Sequence, residues 1–370
     1  MDEQFHFSFP EGFTSVDSHV HIHANWEDGA EFGNENYRKQ LEAYRRTGGF
    51  SYVNVLGIPY LRTRDVCQNL MIALLKLENP HFYAYAGLVY PDQPVRLPFR
   101  DGLSPEEQLE DILAVGFDGV KMLEEKPNAR KLLGLALDDP AYEPFFAEME
   151  QRQEHLVWHV NDPANFWDPE TFRTSGINPA WCYAGEGFLS YEQTYTEVLN
   201  VMQRHPLLKV TFAHLFFMSE QPERLAALLE CYPNLTVDLA PGIEMYPGMS
   251  QNPARWKEIF TQYADRIIFA SDYSTCTPAD VKAQTLQHLY RFLLTDDAFT
   301  FYTGKPVQGL GLDREIVDKI LSHNFLHQVG GTPRPIDKEA LKAYIRKYAP
   351  TITDLHNKDR VLADCMEKLG

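Results

Sequence analysis

The sequence predicts an α/β fold: a (β/α)8 TIM barrel over residues 1–330, followed by a C-terminal helical extension over 331–370. Three observations carry this reading. Eight short β-branched or aromatic runs alternate with longer helical patterns, which is how a parallel sheet with crossover helices reads, and eight such units close a barrel. Several of the runs are near-continuously apolar, as strands buried on both faces are. No GxGxxG or GxxxxGK[ST] follows any strand, so the open doubly wound alternative lacks its usual nucleotide-binding turn.

The first strand is FTSVDSHVHI, 13–22, with a helix at 36–46 that stops at Gly48-Gly49. The second is SYVNVLGI, 51–58, with a helix at 63–77, and the third is FYAYAGLVY, 82–90. The next helix opens at Ser104-Pro105-Glu106-Glu107: Ser104 caps, Pro105 suits the first helical position, Glu107 completes a capping box, and Gly116 closes the helix. FDGVKML, 117–123, is the fourth strand, and a helix follows at 142–152. HLVWHV, 155–160, is the fifth; a long aromatic loop then runs to about 189, ahead of a helix at 191–204. LKVTFAHLF, 208–216, is the sixth strand, with its helix at 222–231, and LTVDLA, 235–240, is the seventh, with a helix from Asn252-Pro253. RIIFASDY, 266–273, is the eighth, with a helix from Thr277-Pro278. Further helical patterns occupy 312–326, 337–348 and 354–369; the last two can pack on the barrel or on a neighbouring subunit of a homo-oligomer.

Composition excludes several classes of function. A net charge of -18 without any Lys/Arg cluster repels nucleic acid. The five cysteines are scattered and form no CxxC pair, which argues against a disulfide framework and for a reducing compartment. The N-terminus is acidic with no apolar signal core, and no run is long enough to span a membrane. The expectation is a cytoplasmic protein acting on a small molecule.

The chemistry begins at VDSHVHIH, 16–23. Side chains at i and i+2 of a strand share a face, so His19 and His21 point together into the barrel. Paired imidazoles are poor core filler and suit a divalent metal, which takes nitrogen donors at about 2.0–2.1 Å. Asp17 shares their parity and can orient one ring, and His23 lies beyond the strand end. Lys121, His159, His214 and Asp272 then fall at the C-terminal ends of strands four, five, six and eight, the rim where barrel enzymes place their catalytic groups. The loops add Trp167, Trp181 and Tyr183 after strand five, Lys126 and Arg130 after strand four, and Glu244 and Tyr246 after strand seven. Of these, Lys121, Arg130, Trp181 and Glu244 are the candidate substrate-binding residues.

The ordered set HxH, Lys, His, His, Asp, with the pieces VDSHVH, GFDGVKML, WHV, FAHL, ASDYS and KILSHNFLHQVG, resembles the amidohydrolase superfamily and, in detail, its amidohydrolase-2 branch, over about residues 14–330. The resemblance implies one divalent metal, zinc first with manganese or iron as alternatives, held by His19, His21, His159 and Asp272. It implies Asp272 and His214 as catalytic residues. The implied activity is hydrolysis of an amide, ester or lactone of a small polar or carboxylate-bearing molecule by metal-bound hydroxide. The alternative is metal-dependent, non-oxidative decarboxylation of a small aromatic or unsaturated acid. Two positions depart from the branch's pattern: the bulky Phe216 and Phe217 follow Leu215, and Asp272-Tyr273-Ser274 lacks the usual proline.

Overall fold

The computed structural model describes residues 10–22, 34–59, 66–175, 177–352 and 355–370. His23 and the start of the helix expected at 63–77 lie outside them. Strands β1 (Ser15–His21), β2 (Phe50–Leu56), β3 (Phe82–Gly87), β4 (Gly119–Glu125), β5 (Leu156–Val160), β6 (Val210–Phe212) and β7 (Leu235–Asp238) pair in sequence order, all parallel.

The eighth strand is present in two pieces. β8 (Ile267–Ile268) pairs with β7, and β9 (Tyr273–Ser274) pairs with β1 through Val20↔Tyr273 and His21↔Ser274. Between them the Ser18 amide donates to the Phe269 carbonyl at 3.2 Å. One segment therefore touches both ends of the sheet and closes it into a TIM barrel. The break has a local cause: Asp272 takes φ 53°, outside strand geometry. β6 is likewise shorter than the 208–216 expected, because the chain turns left-handed from His214.

Inside the barrel, Leu56, Tyr85 and Val157 form one buried layer. Gly119 makes room for it, since a Cβ there would lie 2.7 Å from the Tyr85 ring. The Tyr85 hydroxyl meets His155 Nδ1 at 2.5 Å, and His155 Nε2 meets Thr211 Oγ1 at 2.7 Å, so this layer is polar but satisfied. It forms a floor beneath the rim.

Helix Pro105–Val115 forms with the expected capping box at Ser104 and a left-handed Gly116. Gly116 is needed twice: its φ is 96°, and a Cβ would lie 2.2 Å from the Pro335 carbonyl, where the chain enters its C-terminal helices. Helix Lys338–Tyr348 packs on Pro105–Val115, with Tyr348 Oη donating to Asp111 at 2.8 Å. Helix Leu355–Leu369 lies against helix Cys67–Glu78, with Lys368 Nζ 2.7 Å from Glu78. A short hairpin, Ala298–Thr300 with Pro306–Gln308, was not expected from the sequence.

Buried Asp118 ties these parts together. It accepts from the Lys76 ammonium, and from the Ala84 and Arg334 amides at 2.8 Å apiece. Removing it leaves two amides without this acceptor and the buried Lys76 ammonium with the Gly116 carbonyl but no counter-charge. Asp118→Ala should therefore destabilise the fold by roughly 3–5 kcal/mol, read as a lowered midpoint in urea denaturation. A loss below 1 kcal/mol would show that the pair contributes little.

Candidate metal centre

The rim is organised around β1. His19 Nδ1 donates to Asp238 Oδ2 at 2.7 Å, and His21 Nδ1 donates to the Leu56 carbonyl at 3.0 Å. Both partners are acceptors, so both ring protons are committed at Nδ1. The two Nε2 lone pairs then face each other at 3.1 Å with no proton to bridge them. Burial, with Lys121 and His159 acting in the same sense, holds the His19 pKa well below that of an ordinary imidazole, so the ring stays neutral. Asp272 Oδ1 lies 3.6 Å from His19 Nε2 and 3.5 Å from His21 Nε2. A point equidistant from the three atoms is about 2.0 Å from each, the length of a zinc–nitrogen or zinc–oxygen bond. These donors fit a divalent cation, which would relieve the lone-pair repulsion.

Asp238 also fixes His214. Its Oδ1 accepts from the His214 amide at 2.8 Å and the Ala240 amide at 3.1 Å. His214 Nδ1 donates to the Ala240 carbonyl at 3.0 Å, which leaves Nε2 as the unprotonated nitrogen. From His214 to Phe217 four consecutive residues hold φ between 52° and 57°. A left-handed turn costs about 1–2 kcal/mol per residue, and it persists because its surroundings over-determine it. Phe216 stacks on Phe212 at 3.9 Å, Tyr195 donates to the Phe216 carbonyl at 2.8 Å, and Tyr191 donates to the Phe217 carbonyl at 3.0 Å. The two bulky residues thus divide the work: Phe216 packs behind the site and Phe217 lines the cavity.

Asp272 is held by its neighbours. Asp17 accepts from Ser271 at both the amide (3.1 Å) and the hydroxyl (2.5 Å), and from Tyr44 at 2.6 Å. Asp17 meets the His19 amide, not its ring, so the ring-orienting role falls to Asp238. Tyr273 stacks on Tyr44 at 3.8 Å and joins β9, which replaces the turn a proline would have set.

The rim opens into a cavity of about 290 Å³ lined by His21, Lys121, His159, His214 and Asp272. An amidohydrolase family model matches residues 16–324. The chain belongs to the amidohydrolase family. Solved structures share its fold at low identity. A 2,6-dihydroxybenzoate decarboxylase from Rhizobium is 15% identical, with a TM-score of 0.54 over 86% of this chain and 99% of that one. A dihydroxybenzoic acid decarboxylase from Polaromonas, with bound manganese and the inhibitor 2-nitroresorcinol, is 14% identical, with a TM-score of 0.54 over 86% and 97%. A probable 2-pyrone-4,6-dicarboxylic acid hydrolase from Acinetobacter baumannii, with citric acid bound, is 12% identical, with a TM-score of 0.51 over 85% and 99%. No curated protein sequence matches. The family is one of metal-dependent enzymes, and its structural neighbours include hydrolases and decarboxylases. No helix among the described residues is long and apolar enough to cross a membrane.

In this amidohydrolase the sequence-derived candidates do not all converge. His19, His21 and Asp272 form the one cluster of potential metal donors among the described residues. His159 lines the same cavity, but its Nε2 donates to the Asn161 carbonyl at 3.0 Å and no nitrogen of it joins the cluster. Lys121 is 2% exposed, and among the described residues its Nζ has no hydrogen-bond partner; burial lowers its pKa to about 8, against the pull of Asp238 and Asp272. Trp181 lines the cavity. Arg130 does not: it forms a bidentate pair with Glu197 at 2.8 and 2.9 Å, which occupies the charge expected for substrate. Glu244 is nearly buried behind Gly242, whose Cβ would meet its carboxylate at 2.8 Å, and it is not part of the cavity wall. Tyr246 is core, donating to the Leu239 carbonyl at 2.8 Å.

Two residues escaped the sequence reading. Asp238 ends β7 and obeys the same rim rule that singled out its neighbours. Asp162, just past β5, lines the cavity, accepts from Tyr183 at 2.5 Å and pairs with Lys126. Burial opposes its ionisation, but the Lys126 ammonium and His159 outweigh that and hold its pKa below the usual carboxylate range.

Asp238→Asn should switch the His19 tautomer, because the Asn oxygen stays on the His214 and Ala240 amides and its NH2 then donates to Nδ1, moving the ring proton to Nε2. The Nε2 proton would then point at His21, and metal affinity should drop 10–100-fold with the fold retained, as measured by metal titration and circular dichroism. Burial raises the Asp272 pKa to about 7, with Lys121 opposing. Below that pH a proton competes with the cation, so metal affinity should fall about tenfold per unit as pH drops from 7 to 5 and level off above about pH 8. An affinity independent of pH over this range would remove Asp272 from the site.

Proposed function

We propose that the chain hydrolyses an amide, ester or lactone of a small carboxylate-bearing molecule, using one divalent ion, zinc first with manganese or iron as alternatives. The observation that carries this is the pair of facing Nε2 lone pairs with Asp272 Oδ1 around a common point. His19, His21 and Asp272 hold the ion, and His159 completes the set by turning its ring away from Asn161. A divalent ion supplies Lewis acidity and lowers the pKa of water to about 7. Asp272 takes the proton from the attacking water. His214 Nε2, unprotonated and oriented through Ala240, takes that proton on from Asp272 and passes it to the leaving group. Lys121 pairs with the carboxylate of the substrate, giving its ammonium the partner it lacks among the described residues.

One observation favours a second reading, metal-dependent decarboxylation. Among the described residues the Lys121 ammonium has no hydrogen-bond partner, and it shares the cavity with Asp272. A carboxylate drawn in by Lys121 loses its hydration. The C–C bond then breaks with its electron pair left on carbon, Asp272 delivers a proton to that carbon, and CO2 departs.

One experiment separates these readings. The metal-loaded protein is incubated with a panel of carboxylate-bearing amides, esters and lactones and with aromatic acids. The hydrolase reading expects turnover without CO2, reduced at least 100-fold in His214→Ala at unchanged metal content. Release of CO2 from an acid identifies the second reading. Full metal content in the His19→Ala/His21→Ala double variant, measured by elemental analysis, would sink both.

A further inference from the structure

The floor and the open end of the cavity differ in chemistry. Among the described residues, the lysines lining it are Lys121 and Lys126, and no arginine does. Lys126 is held by both carboxylate oxygens of Asp162, so that pair brings no net charge. Lys121 alone of the two has an ammonium without a hydrogen-bond partner. Toward solvent the wall is mostly apolar, with the Asp162-paired Lys126 ammonium 5.7 Å from the Trp181 ring centroid. Trp181 and Ile243 both line the cavity, yet they are 40% and 42% exposed, which places them at its mouth. Phe166 lies beneath Trp181, stacked at 6.2 Å and 17°. Phe217, 5.2 Å from both the His159 and His214 rings, carries the apolar wall down to the floor. The other large hydrophobic side chains with comparable exposure among the described residues, Leu97, Leu132, Leu207 and Met366, do not line the cavity.

We propose that Trp181 and Ile243, over Phe166, form a distal apolar subsite that selects substrates carrying an aryl or branched-alkyl group opposite a single carboxylate. The head of such a molecule meets Lys121 and the ion-binding floor, and its distal end covers the two exposed side chains. A second carboxylate at that end would find no unpaired lysine among the described residues and would lose hydration against indole and sec-butyl surface. Each methylene buried there is worth about fourfold in affinity. The inference rests on the metal-dependent reading above for its floor and adds the distal specificity.

The test is calorimetric titration of the zinc-loaded full chain with benzoate, 4-tert-butylbenzoate and terephthalate. The tert-butyl compound should bind at least tenfold more tightly than benzoate, and terephthalate no more tightly than benzoate. Trp181→Ala and Ile243→Asn should each bring the ratio of the first two affinities toward one. Equal affinities, a tert-butyl preference that survives both substitutions, tightest binding of terephthalate, or no binding at all would overturn the subsite. Lys121→Met and removal of zinc by a chelator test the floor separately. If neither changes any of the three affinities, the metal-dependent reading fails, while the affinity ratio still decides the subsite.

Discussion

Two lone pairs forced together govern the architecture of this rim. His19 and His21 could avoid each other if either ring turned over, but Asp238 and the Leu56 carbonyl each demand a proton at Nδ1. The constraint therefore comes from two other strands, β2 beside β1 and β7 one strand beyond the eighth. Asp272 reaches the same point only because the eighth strand breaks at a left-handed residue and resumes against β1. The fold and the candidate metal centre share one cause: barrel closure brings together groups more than two hundred residues apart. Strain is concentrated at the same place. The left-handed run at His214–Phe217 and the left-handed Asp272 both sit at the rim, held by buried hydrogen bonds and ring stacking.

The electrostatics of the cavity run opposite to those of the whole chain. The protein carries -18 overall, yet the cavity has neutral imidazoles, a carboxyl that titrates near neutrality and a desolvated ammonium. Burial is the largest contributor to each of these shifts, so the site works as a low-dielectric chamber in which a single added charge has a large effect. That is why the choice between hydrolysis and decarboxylation turns on which substrate group enters it, with the same side chains serving either chemistry.

Much of this was legible in the sequence. The alternation of apolar runs and capped helices marks every barrel strand, and the parity of His19 and His21 puts their rings on one face of β1. The misses are tertiary. Arg130 reads as a free cation, but its partner Glu197 lies on a helix that only folding brings near. Asp238 carries no local pattern beyond its place at a strand end, and its importance lies in what it accepts. The direction of the His159 ring depends on the Asn161 carbonyl, which parity cannot show. The left-handed turn at His214 has no glycine or asparagine to announce it, and it exists because Phe212, Tyr191 and Tyr195 hold it.

Crystallography at the zinc absorption edge tests the central claim most directly. The account predicts one strong anomalous peak within about 2.0–2.2 Å of His19 Nε2, His21 Nε2 and an Asp272 carboxylate oxygen. Zinc-soaked crystals with no density at that point, and with either imidazole turned so that Nε2 faces away from the other ring, would contradict it.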